Sequence, residues 1–190
     1  MTAEEEVLTR VVRLLEALGI PYMIAGSVAS SFHGKPRTTH DADIVIDPAP
    51  DALDRLVDAL ATLAFYVDLG TAREALRRRR QFNVVETASA FKLDLIIRKD
   101  RPFSEEEFRR RQRVDLAEAE VALATAEDTI LAKLEWAKKG GGSERQLADV
   151  RGIVDVRGAD LDREYIRRWA KNLGVLGLWR RVTRGRDTDR

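Results

Sequence analysis

Two aspartates one residue apart, Asp41 and Asp43, open the segment DADIVID at 41–47. Alternate residues of a strand share a face, so a strand here presents both carboxylates together. Like charges this close repel, and a divalent cation between them reverses the effect; hard oxygen ligands suit Mg²⁺ or Mn²⁺. Asp94 adds a third acid, set between Leu93 and Leu95 in the run KLDLII, where a buried carboxylate needs a partner. If its strand lies beside that of Asp41 and Asp43, the three acids make the ligand set of a two-metal site, with ions roughly 3.5–4 Å apart.

Upstream, Gly26 and Ser27 stand where apolar YMIA gives way to a helix-forming stretch. Backbone N–H groups at such a turn face outward and the positive helix end attracts anions; glycine admits an anion closely and serine adds a donor. Lys35 and Arg37 follow on the loop before the acids and can neutralise further phosphate charge. A Walker loop is excluded, because Gly26 and Gly34 stand too far apart and Pro36, not a hydroxyl residue, follows Lys35.

These groups need a scaffold, and apolar spacing supplies one. Val7, Val11, Leu14, Leu15 and Leu18 recur at helical steps, predicting a helix over 4–18 that Gly19 and Pro21 end. A strand at 22–25, a helix at 27–33, a strand at 42–47 and a helix at 51–63 follow, then a short strand at 65–68. Residues 82–86 and 91–97 read as a hairpin. Beyond Pro102 the pattern is helical: a charged helix capped by Ser104, then helices at 126–139, 144–156 and 162–173. The expectation is an α/β domain over 1–100 and a helical C-terminal region over 101–190, closing over the cleft between them.

Composition narrows the function classes. The 190 residues suffice for one domain or a domain with an appendage, and 44% hydrophobic with 34% charged residues gives a core and no membrane span. A net charge of +1 does not argue for bulk attraction to nucleic acid, so any such binding would have to be local. The absence of cysteine excludes disulfides, thiolate zinc sites and thiol nucleophiles. Two histidines, His33 and His40, do not make a transition-metal site; His33 is expected to pack on its helix, and His40 to meet a phosphate or a carboxylate. The N-terminus lacks a secretory pattern, so the expected location is cytoplasmic. Arg77 to Arg80, and five arginines against two aspartates over 180–190, read as solvated surface, or as the path of the backbone if the acceptor is RNA. Trp136, Trp169 and Trp179 are expected to fill the helical core or its interface.

Gly26-Ser27, a 13-residue gap, then Asp41-Ala42-Asp43 and apolar residues resembles the signature of the DNA polymerase beta type nucleotidyltransferase superfamily, with Asp94 matching its third acid. Within it, residues 36–43, PRTTHDAD, look most like the AbiEii-type nucleotidyltransferases, many of them toxins of bacterial toxin–antitoxin pairs. Residues 127–153 are similar to that family's helical motifs, where Lys133 matches a lysine implicated in nucleotide binding and Asp149 an acid near the site. Gln146 departs from the family pattern, which has aspartate there. The resemblance implies a polymerase-beta-like fold with a mixed sheet followed by C-terminal helices. It also implies a nucleotidyltransferase in which Asp41, Asp43 and Asp94 are catalytic and hold Mg²⁺ or Mn²⁺, while Gly26, Ser27, Arg37, Lys133 and Asp149 bind the nucleoside triphosphate. The implied partners are an RNA, such as tRNA, or a protein as acceptor, and a cognate antitoxin. Two other readings stay open: a non-catalytic regulator or partner-binding module on the same fold, and a transferase acting on a small molecule such as an antibiotic.

Overall fold

The computed structural model describes residues 2–39, 41–116 and 119–184. By internal contacts the chain forms two units, one of residues 1–27 and 39–124, the other of 28–38 and 125–190.

The first unit is built on a seven-stranded mixed sheet. Its strands are β1 (Tyr22–Ile24), β2 (Asp41–Ile46), β3 (Phe65–Tyr66), β4 (Gln81–Glu86), β5 (Lys92–Ile97), β6 (Gln112–Leu116) and β7 (Ala119–Leu123), in the order β3-β4-β5-β2-β1-β7-β6. β2 pairs parallel with β5 and antiparallel with β1, and β1 pairs parallel with β7. The strands that carry Asp43 and Asp94 are therefore neighbours near the middle of the sheet. Alternation sets their burial: Ala42, Ile44 and Ile46 are fully buried, while Asp41, Asp43 and Val45 take the other face.

Helix α1 (Ala3–Ala17) starts in a capping box, with the Glu5 N–H donating to Thr2 Oγ1 at 3.2 Å and the Thr2 N–H to Glu5 Oε2 at 2.8 Å. It buries Val7, Leu8, Val11, Val12 and Leu15. α3 (Pro50–Thr62) opens on Pro50 and buries Leu53, Leu56, Val57 and Leu60. Two helices complete the unit, α4 (Leu69–Arg78) and α5 (Pro102–Arg110).

In the second unit α6 (Ala126–Lys139), α7 (Glu144–Arg157), α8 (Arg163–Asn172) and α9 (Leu176–Thr183) surround Ile130, Leu134, Leu147, Val150, Ile153 and Ile166, all fully buried. Asp128, also fully buried, is satisfied inside this core: the Tyr165 hydroxyl donates to its Oδ1 at 2.6 Å and the Thr125 hydroxyl to its Oδ2 at 2.7 Å. Helix α2 (Gly26–His33) begins in the first unit and continues into the second.

The structure departs from the sequence expectations at definite places. β6 and β7 fall within the stretch expected to be helical and carry the sheet past residue 100 to Leu123. The basic stretch after β3 contains α4, capped by Asp68, whose Oδ1 accepts from the Thr71 N–H at 2.7 Å. Ser104 does not cap α5: Arg101 is the N-cap residue, Pro102 starts the helix, and the Ser104 hydroxyl accepts from Arg101 Nε at 2.9 Å. Trp179 is buried as expected, whereas Trp136 is 55% exposed, with Lys139 over its ring. Among the described residues, no helix is long and apolar enough to cross a membrane.

Candidate functional site

Parallel pairing of β2 with β5 sets Asp43 directly opposite Asp94 and Asp41 opposite Lys92. Ladder partners share a face, so three carboxylates and one ammonium lie on the same side of two adjacent strands about 4.8 Å apart. Lys92 Nζ donates to Asp94 Oδ2 at 3.1 Å, and the Thr39 hydroxyl lies 2.8 Å from Asp41 Oδ1. Asp94 is 7% exposed, and its Oδ1 is buried without a hydrogen-bond partner. A buried carboxylate oxygen with no donor is costly unless something positive reaches it.

The Gly26 backbone closes on the same acids. Gly26 has φ +58°, and a Cβ there would stand 1.8 Å from Asp43 Oδ2. Only glycine fits, because both the left-handed backbone and the occupied space exclude a side chain. The Ala25 N–H donates to the Asp43 carbonyl at 2.9 Å, tying the end of β1 to β2 at this point. Gly26→Ala is expected to cost at least about 1 kcal/mol from the left-handed backbone alone, and more from displacing Asp43. A urea-denaturation cycle with Asp43→Ala checks it: shortening residue 43 should return the steric part and leave the backbone part.

These residues fit a hard divalent cation. The donors are all carboxylate oxygens, one of them buried and lacking a partner, and two acids stand directly opposed where like charges destabilise a sheet. Among the described residues, no three His, Asp or Glu side chains gather in a group that could hold a metal ion: of the three acids expected to converge, Asp43 and Asp94 stand directly opposed, whereas Asp41 stands opposite Lys92.

The second unit brings together Arg37, Lys133 and Asp149. Arg37 grips the carboxylate with two donors, Nε to Oδ1 at 2.9 Å and Nη2 to Oδ2 at 3.1 Å, and Lys133 Nζ donates to Oδ2 at 2.8 Å. The side chains of Lys133 and Asp149 are 6% and 9% exposed. Burial pushes the Asp149 carboxyl up, but the hydrogen bonds from Arg37 and Lys133 outweigh it and hold the group below its ordinary value. A carboxyl depressed by folding adds stability above its unfolded pKa of about 3.9. That stability is lost as pH falls through the lower folded value. Melting temperature followed from pH 6 to pH 2 should accordingly fall less steeply in Asp149→Asn than in the parent chain.

Lys35, expected to neutralise phosphate, instead donates to Asp155 Oδ2 at 2.7 Å. Arg77 and Arg78 share Glu74, and Arg79 pairs with Asp47 and Asp100, so three of the four arginines in that run are engaged in ion pairs within the fold. His33 is buried as expected at 1% exposure, with the Phe32 ring edge-on at 5.1 Å. His40, Arg186, Asp187, Asp189 and Arg190 lie outside the described residues. Sequence reasoning missed Lys92 and Thr39. Lys92 had a signal, standing two residues before Asp94 on a strand and hence on its face.

No protein-family model and no curated protein matches the chain. Solved structures do. An antigenic nucleotidyltransferase-like protein from Paracoccidioides brasiliensis aligns at TM-score 0.59 and 16% identity over 90% of this chain and 86% of its own. ANT(2")-Ia in complex with adenylyl-2"-tobramycin aligns at TM-score 0.62 and 13% identity over 91% of this chain and 98% of its own. The lincosamide antibiotic adenylyltransferase LnuA, lincomycin-bound, aligns at TM-score 0.56 and 12% identity over 82% and 98%. The mixed sheet and its flanking helices are thus those of a nucleotidyltransferase-like α/β fold.

Proposed function

We propose that the chain is a Mg²⁺- or Mn²⁺-dependent nucleotidyltransferase that moves a nucleotide from a nucleoside triphosphate to an acceptor hydroxyl. The observation that carries this reading is the pairing of Asp43 with Asp94 across β2 and β5, with an unsatisfied Asp94 oxygen and the Gly26 backbone against Asp43. Asp43 and Asp94, with Asp41 beside them, would hold the divalent ion, which would supply Lewis acidity toward the acceptor hydroxyl and positive charge for the triphosphate. The acceptor oxygen bonds to the α-phosphorus, the bond to the bridging oxygen breaks, and pyrophosphate leaves. On this reading Asp94, on the same face as Asp43, would also take the proton of the acceptor hydroxyl. Gly26 and Ser27 offer the first turn of α2 to an anion. In the second unit, Arg37, Lys133 and Asp149 together carry one net positive charge, which suits them to hold part of a nucleotide.

The acceptor is proposed to be an RNA, such as tRNA, or a protein. On the AbiEii-type resemblance of residues 36–43 the chain acts as a toxin held in check by an antitoxin. Small-molecule transfer is the second reading, favoured by the likeness of fold to two structures named for antibiotic adenylylation. The test supplies labelled nucleoside triphosphates and Mg²⁺ with total RNA, protein extract and antibiotics in separate reactions. Label entering one of them identifies the acceptor class. No transfer, together with no triphosphate binding in calorimetry, would mean a regulator that keeps the fold without the chemistry.

A further inference from the structure

A groove of about 590 Å³ opens on the second unit between α8 and α9. Five cations line it, Arg163, Arg167, Arg168, Lys171 and Arg180, against a single acid, Glu164. Amphipathic folding explains the concentration. Tyr165, Ile166 and Ala170 of α8 face the core, so its basic residues are turned outward, and Arg167, Arg168 and Lys171 are exposed. Arg163, Arg167 and Lys171 follow each other at four-residue steps, a line of charge about 12 Å long at 1.5 Å per residue. Among the described residues, Arg167, Arg168, Lys171 and Arg180 make no ion pair, in contrast to Arg77, Arg78 and Arg79, each of which is paired.

We propose that this groove binds the phosphate backbone of a single-stranded nucleic acid. A small-molecule pocket is mostly apolar with a few convergent polar groups. Here the apolar contribution is Leu176 and the buried Trp179, and the cations are spread along an axis. Several cations repeated along one axis suit a polyanion whose charges also repeat along its length, rather than a compact ligand with one charged group. Arginine predominates four to one over lysine, and its planar fork meets phosphate oxygens with two parallel donors. The indole of Trp179 is only 3% exposed, which leaves no stacking platform, so affinity comes from charge and is indifferent to base sequence. The proposal concerns binding alone and stands whether or not the carboxylate site transfers nucleotides.

Fluorescence anisotropy with labelled polyuridine and polydeoxythymidine tests it on the full chain. Both should bind, with an affinity that falls steeply with salt. Arg167→Ala/Lys171→Ala should weaken binding on the order of tenfold and reduce the magnitude of the log–log salt slope by about 1.4, the counterions of two lost single-strand contacts. Arg77→Ala/Arg78→Ala should leave both unchanged. Circular dichroism melts check that the exposed substitutions leave the fold in place, and Arg180→Ala on α9 offers an independent variant with the same expected direction. The proposal is overturned if both groove variants bind like the parent, or if polyglutamate displaces polyuridine at lower charge concentration than unlabelled polyuridine does, which would mark the groove as a seat for an acidic protein.

Discussion

The Asp43→Ala protein is expected to remain folded and to lose metal-dependent nucleotide transfer by a factor on the order of 10³ or more, since ions in such sites supply several kcal/mol to the transition state. Stability should hold, because Asp43 faces Asp94 directly across the ladder, and deleting one of two opposed like charges relieves repulsion. β2 stays framed by β1 and β5 on either side, and alanine leaves its backbone pairing intact. The measurement is label transfer in the presence of Mg²⁺ alongside thermal unfolding. Asp43→Asn sharpens it by keeping the shape and removing the charge. Undiminished transfer by a folded variant of either kind would sink the assignment.

Asp149→Ala carries the largest expected loss of stability, about 3–5 kcal/mol, the usual cost of stripping one partner from a buried ion pair. The substitution leaves the Lys133 ammonium, 6% exposed, without its carboxylate, and releases both donors of Arg37. Urea denaturation should show the midpoint fall with an unchanged slope. Replacing Arg37 and Lys133 by methionine and Asp149 by leucine together should recover most of the loss, because apolar residues of similar volume often substitute for a buried ion cluster at little cost. A loss under about 1 kcal/mol for Asp149→Ala would instead assign the trio the strength of a solvent-screened surface pair.

The shared face of the acids in the first unit was legible because it rests on short-range patterns. Asp41 and Asp43 share a face by strand alternation, and an acid inside KLDLII announces a buried carboxylate whatever its neighbours are. Register was not legible: that Asp43 meets Asp94, and Asp41 meets Lys92, is settled by the pairing of strands about fifty residues apart. Gly26 reads in sequence as a flexible turn, whereas its necessity comes from a carboxylate arriving from another strand. The second unit shows the same limit. Lys133 and Asp149 each look like one polar residue on a helix, and only the packing of α6 on α7 joins them. β6 and β7 were hidden by their charge, since Arg113, Asp115 and Glu120 sit at exposed alternate positions of an edge pair and dilute the apolar signal. α9 was hidden by its shortness, with eight residues and no side-chain cap.

Segment 28–38 belongs by its contacts to the later helices and not to the strands that flank it in sequence. Three fastenings account for this: the grip of Arg37 on Asp149, the pairing of Lys35 with Asp155, and the seat of Gly34, where a Cβ would lie 2.8 Å from the Ile153 nitrogen. A fragment cut at Thr125 would therefore be an incomplete body, with a bare patch of backbone at Gly152 and Ile153 and one guanidinium too few for its central acid. Splicing at a single point cannot exchange this helical unit between proteins, because part of it is written into the chain a hundred residues earlier.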